Sequence, residues 1–435
     1  MRKMKSDKSK TGVSRRSVLK GTAAVAGVAA ATQLSGGFPT VWSQDIKDIT
    51  VRTVGMAVSN MKPLEDMANE ALDFTVRQTA AEIPAIQSRA LTQPNSGDLF
   101  EPPYMLMKFM WPSGNFQAWD TTKLPEWDSV VDLYKAPGKI WPDAWFGDGQ
   151  NPSTVAYTSG PDATDFVEAG STQWITNHPV LHNADTLGIR PDLIGRPIDS
   201  WSELINPEFA GKAALVAFPQ IGLMDAAQAF QANGELEYGD KGNMTREEID
   251  YSIDRLIELK ENGHWRVLWS TFNESVQLMV EGEVVIQSMW SPAVTAVREQ
   301  GVPCIYQDLK EGYRSWTLGH LLPKHLEGKK LGAVYDYVTW YHSGPAGAFF
   351  ARQGYYVVTP SNTQKYLPEA EWDFWFEGKP ATVDIYSPFG KLMEKPGAVR
   401  DGGSYKNRMG RVAVWNSVMD ENEYLTDRWN EFIAA

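Results

Sequence analysis

Residues 48–80 read DITVRTVGMAVSNMKPLEDMANEALDFTVRQTA. Ile49 and Val51 alternate with Thr50 and Arg52, the period of two that marks a half-buried strand. Met61, Leu64, Met67, Ala68, Ala71 and Leu72 then fall on one helical stripe. The run FTVRQTA at 74–80 returns to strand character. A strand, a crossover helix and a second strand favour a parallel sheet with helices packed on it. The fold class is therefore expected to be α/β.

The alternation recurs further along. Thr245-Arg-Glu-Glu248 has the spacing of a capping box, in which Thr245 and Glu248 each satisfy the other's backbone N–H. The helix it opens should bury Ile249, Ile253, Leu256 and Ile257 and stop at Gly263. A second helix is predicted from Asn273, a strand at 284–290 (VVIQSMW) and a third helix at 331–342 (LGAVYDYVTWYH). The Pro- and Gly-rich stretches 147–161 and 354–362 are candidate crossings between two compact halves.

Upstream, SRRSVLKGTAAVAGVAAA at 14–31 places paired arginines before a run of small apolar residues. A spanning helix needs about 20 apolar residues, and this run is shorter and weakly hydrophobic. It reads as an export signal, and Ser14 to Lys20 resembles the twin-arginine pattern, with Val18 where Phe is commonest. Residues 1–43 are expected to be removed after Val41-Trp42-Ser43, with Ala29-Ala30-Ala31 as an alternative cut. The Tat translocase is then a partner during export, and the mature chain is expected in the periplasm, without stable membrane insertion.

The whole chain carries a formal charge of −13, and residues 1–43 hold eight basic side chains and one acidic one. The remainder therefore sits near −20, which opposes nucleic acid and anionic lipid. Cys304 is the only cysteine, so an intramolecular disulfide and a Cys-ligated cluster are excluded.

Residues 198–216, IDSWSELINPEFAGKAALV, read as a short helix stopped by Asn206-Pro207, a turn through Gly211 and a buried strand. This segment resembles one in bacterial extracellular solute-binding proteins, especially the spermidine/putrescine-type family. WDTTKLPEWDSV (119–130), LMVEGEVVIQSMW (278–290) and YQDLKEGYRSW (306–316) resemble further family segments, in the same order. The resemblance implies a two-lobed type II periplasmic binding fold. Each lobe would have a central sheet flanked by helices, and the ligand would sit in the cleft. It implies lobe 1 from 48–156 and 290–355, and lobe 2 from 157–289 and 356–435. The hinges would lie near 157–160, 288–290 and 355–358. It also implies a monomer that captures a small-molecule solute by lobe closure and hands it to the permease subunits of an ABC transporter.

The family's polyamine binders place carboxylates after the GKxAL strand and two residues beyond the crossing-strand tryptophan. Here those positions read Ala217, Phe218, Pro219, Gln220 and Ile221, and then Pro292. Trp290, Trp316, Arg314, Phe218 and Gln220 remain as candidate ligand-binding residues. Aromatic faces can enclose a flat or aliphatic solute, and a guanidinium can hold a carboxylate. The expected ligand is a carboxylate-bearing or zwitterionic solute, with a polyamine as the alternative. For each candidate a bland role competes: the tryptophans also read as core, and Arg314 as the partner of Glu311 or another acid.

His178 and His182, with Asp185 nearby, have a spacing that could serve a metal. Pro179 opposes a regular helix through both, and loop hydrogen bonding is the simpler reading. Tyr355-Tyr356 and the Met105, Met107, Met110 group read as packing residues. No metal site and no cofactor is expected. A Tat-exported periplasmic enzyme is the rival class. The chain has no G-x-S-x-G elbow, Walker loop or G-x-G-x-x-G, so no catalytic residue is assigned. A binder that feeds a sensor instead of an importer shares all these features.

Overall fold

The computed structural model describes residues 46–435, so the expected export segment lies outside the described residues. The opening unit forms as β1 (Thr50–Gly55), α1 (Lys62–Ala71) and β2 (Thr75–Ala80). Helix α2 (Ile83–Thr92) leads on to β3 (Leu99–Glu101). β1 lies between β2 and β3, parallel to both, in register from Thr50↔Thr75 to Gly55↔Ala80 on the β2 side. Leu64 and Ala68 of the predicted stripe are fully buried, whereas Met61, Met67 and Leu72 pack only partly against the same core.

A nine-stranded sheet is organised by one long strand, β4 (His178–Ile189), all twelve residues of which are buried. The segment that follows contains β5 (Ala213–Val216), α3 (Pro219–Ala232), α4 (Arg246–Glu261), β6 (Trp265–Trp269), α5 (Phe272–Glu281) and β7 (Ile286–Met289). Helix α6 (Ser291–Arg298) leads to β8 (Tyr313–His320), and α7 (Gly328–His342) to β9 (Tyr356–Val357). A hairpin of β10 (Ile385–Tyr386) and β11 (Leu392–Glu394) precedes β12 (Val412–Trp415) and α8 (Asn422–Ala434).

The two ends of β4 have different neighbours. Residues 178–185 pair antiparallel with β8, from His178↔His320 to Asp185↔Arg314. Residues 186–189 pair instead with β7, from Thr186↔Met289 to Ile189↔Ile286. The cores divide at the same place. Val180 and Leu181 share a core with Val51 and Val338, while Leu187 and Ile189 share one with Leu215, Ile253 and Phe432. His178 and His182, read from sequence as loop residues, are thus strand residues. Pro179 is accommodated opposite an irregularity between Leu318 and Gly319, where a ladder bond is not required.

The expected helix in 198–216 is a pair of 3₁₀ turns, Trp201–Ile205 and Pro207–Phe209. Pro207 disfavours the α conformation at Asn206, leaving too few residues for α turns. Gly211 turns at φ 73° before β5. The capping box at Thr245 is formed in both directions. Trp201 is fully buried, and its Nε1 donates to the Gly312 carbonyl at 2.9 Å. Trp201→Ala should cost about 3–5 kcal/mol of unfolding free energy, the range for removing a large core aromatic, as read by urea denaturation.

Candidate functional site

A cavity of about 390 Å³ opens between the β1–α1 loop on one side and α5 and α6 on the other. Met56, Val58 and Met61 form one wall, with Phe272 and Trp290 opposite and Tyr355 at the base. Phe389, at the tip of the β10–β11 hairpin, lies at the edge and is 55% exposed. A smaller extension of about 50 Å³ continues from Met56, Val58, Trp290 and Tyr355 to Trp316, Arg314 and Asp185.

The loop carrying Met56 and Val58 is held from behind. Glu101 at the end of β3 accepts from Ser59 Oγ and, at 3.3 Å, from Asn60 Nδ2. Trp290 is the last residue before α6, whose Ser291-Pro292 start pre-sets the helical turn. Its ring meets Trp269 edge-on at a centroid distance of 5.1 Å. Trp316 and Tyr355 contact each other at 5.7 Å in a T-shaped pair.

Of the five residues singled out in the sequence, Trp290, Trp316 and Arg314 come together around the small extension. Phe218 and Gln220 do not join them. They lie at the start of α3 and line a neighbouring groove with Ile83, Met105 and Asn422, where Gln220 hydrogen-bonds Asn422. Tyr355 reads as lobe packing in the sequence, and it is 2% exposed, yet it lines both cavities. Nothing local in GYYVVTP distinguishes it from Tyr356, which faces away into the core of Phe376 and Tyr405. Met56, Phe272 and Phe389 carry no motif that could have marked them.

Arg314 already has anions from within the chain. Its Nε donates to Asp225 Oδ1 at 2.7 Å, its Nη1 to Asn416 Oδ1 at 2.9 Å, and its Nη2 lies 3.3 Å from Asp185 Oδ2. Asp185 Oδ1 also accepts from the Tyr306 hydroxyl at 2.8 Å. Glu311, the partner suggested by sequence proximity, instead accepts from Ser200 Oγ and the Trp201 N–H. One guanidinium thus faces two carboxylates, a group with one excess negative charge when both are ionised. The charged residues lining the large cavity are Glu82 and Glu299, the latter paired with Lys391 at 3.1 Å.

Burial pushes the Asp185 carboxyl up to about 6, against the opposing pull of Arg314 and Tyr306, and raises Asp225 for the same reason. The folded chain therefore holds the Asp185 proton more tightly than the unfolded chain does. The group destabilises progressively as pH rises from about 4, the unfolded value, to about 6. In Asp185→Asn this slope should vanish. Between pH 4 and pH 7 the variant should gain on the order of 2 kcal/mol relative to the parent, measured by urea denaturation at both pH values.

Among the described residues, no helix is long and apolar enough to cross a membrane, and no group of three His, Cys, Asp or Glu residues is placed to hold a metal ion. His182 is a buried neutral ring, lowered to about 3 by desolvation, between the hydroxyls of Tyr134 and Tyr405.

The backbone is similar to those of solved binding proteins. An ABC transporter substrate-binding protein from Bradyrhizobium japonicum USDA 110 superposes with a TM-score of 0.57 at 16% identity, covering 89% of this chain and 100% of that one. A spermidine/putrescine ABC transporter substrate-binding protein from Streptococcus pneumoniae gives 0.58 at 10% identity, over 88% and 98% of the two chains. A binding protein of A. tumefaciens R10 in complex with agropinic acid gives 0.53 at 12% identity, over 88% and 99%. No curated protein matches the chain by sequence. These likenesses show the expected α/β, two-lobed periplasmic binding fold. The family model for bacterial extracellular solute-binding proteins matches residues 64–374, a span that includes β4, β8 and both Trp290 and Trp316. The chain belongs to the bacterial extracellular solute-binding protein family.

Proposed function

We propose that this protein, exported by the twin-arginine route and cut near Ser43, works as a monomer in the periplasm. There it would capture a small organic solute with a cationic nitrogen and present it to its permease. The observation that carries the ligand class is the aromatic group of Trp290, Trp316 and Tyr355 beside Asp185, whose cluster with Arg314 and Asp225 carries excess negative charge when both carboxylates are ionised. Aromatic faces attract a cation through their quadrupole, more strongly when it is desolvated. The carboxylate of the expected ligand loses its support, because Arg314 is neutralised by Asp225 and Asp185. The zwitterionic reading keeps its support through the cationic end. A polyamine is one such cation, although Ala217, Ile221 and Pro292 supply no carboxylate at the family's positions.

Core membership supports a lobe division different from the one drawn on the sequence. We place lobe 1 at 46–184 and 313–412, and lobe 2 at 185–309 and 414–434. Residues such as Tyr157, Ile175 and Leu181 pack with β1, and Ala293 and Val297 pack with β5 and β7. The large cavity then lies between the lobes, and closure would bring Trp290 towards Met56 and Tyr355.

A thermal-shift panel of amines, betaines, polyamines, amino acids and dicarboxylates tests the ligand class. A bound solute at 100 times its Kd stabilises by about 2.7 kcal/mol. Cationic or zwitterionic solutes should raise Tm, and Trp290→Ala should weaken the best of them by about 1–2 kcal/mol, read by calorimetry. A panel in which only dicarboxylates stabilise would overturn the ligand class while leaving the transport role standing.

A further inference from the structure

A second pocket lies behind α6, on the side away from Trp290. Arg298, Arg400 and Arg408 converge on a small space of about 30 Å³, together with Glu394 and Asp401. Arg298 is satisfied there: its Nη1 donates to Glu394 Oε1 at 2.7 Å, its Nη2 pairs with Asp401, and its Nε donates to the Cys304 carbonyl. Arg400 is 6% exposed and has no carboxylate in salt-bridge reach among the described residues. It donates to the Tyr356 hydroxyl and to the Trp375 and Gly354 carbonyls, with its guanidinium over the Tyr356 and Trp375 rings.

Arg408 is 2% exposed, and its Nη2 donates to the Asp401 carbonyl at 2.8 Å. Its Nε and Nη1 are buried without a hydrogen-bond partner among the described residues, while its guanidinium sits 4.9 Å from the Tyr306 ring centroid. Three guanidiniums thus meet two carboxylates, and the surplus positive charge coincides with unpartnered N–H groups. An uncompensated buried charge is the costly case in a protein interior. One small anion would offset the charge surplus and give Arg408 Nη1 an acceptor. A space of about 30 Å³ suits a small ion better than a bulky one.

We propose that this pocket is a halide site, holding one chloride against Arg408 Nη1. Glu394 and Asp401 face the same space and discourage a second anion, while Arg298 draws their charge towards itself. Ser291 and Thr295 of α6 line the pocket, and Thr295 also lines the large cavity, so the ion would buttress the helix that carries the cleft wall. This site is independent of the identity of the solute.

The experiment uses the purified protein with no solute added. Tm is recorded in sodium chloride, sodium bromide and sodium gluconate at equal ionic strength. Chloride and bromide should raise Tm by about 2 °C per tenfold increase, and gluconate should not. Crystals grown in bromide should show an anomalous peak within hydrogen-bond distance of Arg408, and Arg408→Gln should abolish the halide-dependent shift. Equal melting in all three salts, or a bromide-free pocket filled by water, would overturn the proposal. Should Arg408→Gln fail to fold, the wild-type bromide peak and salt series decide the matter alone.

Discussion

Arg314 reaches three separate parts of the chain from the middle of the large sheet: Asp185 on β4, Asp225 on α3 and Asn416 just after β12. All are buried, so the carboxylates have no solvent to fall back on. Removing one partner of such a group strands charge inside the protein, typically at about 3–5 kcal/mol. The register of β8 against β4, the seating of α3 and the approach of β12 are therefore tied to one guanidinium. It stands next to the point where β4 exchanges one neighbouring strand for another. The same group lines the inner extension of the cavity.

The cleft is built from side chains whose backbones are held elsewhere. Glu101 fixes the loop that presents Met56 and Val58, and the α6 start presents Trp290. The family's acidic positions are occupied by Ala217, Ile221 and Pro292, yet an acid reaches the cleft from another strand through Asp185. Asp185 thereby places a carboxylate beside Trp290 and Trp316. Its effect depends on how much of the Asp185 charge Arg314 already absorbs.

Strong local signals carried the fold. The 48–80 unit, the Thr245–Glu248 box and the 284–290 strand are each decided by spacing within a few residues, and each stands close to its expected position. The features that local spacing misses are of longer range. Whether Arg314 faces a solute or an internal acid depends on Asp225, 89 positions away. Pro179 suggests a loop through His178 and His182 until its partner strand is known to be irregular at Gly319. Phe218 and Gln220 rest on aligned positions whose chemistry has already changed, and they occupy the adjoining groove. Tyr355 and Phe389 enter the cleft only because distant elements deliver them there.

β4 runs unbroken from His178 to Ile189, and both halves depend on it. A connection of this kind is not a swivel. Its backbone hydrogen bonds resist any sharp change of dihedral at a single residue, so relative rotation is spread as extra twist over several peptide units. Such a link behaves as a leaf spring, with a resting angle set by its own bonding and a restoring force on either side. Small rotations are then inexpensive and large ones are opposed, which favours a shallow range of opening over a wide gape.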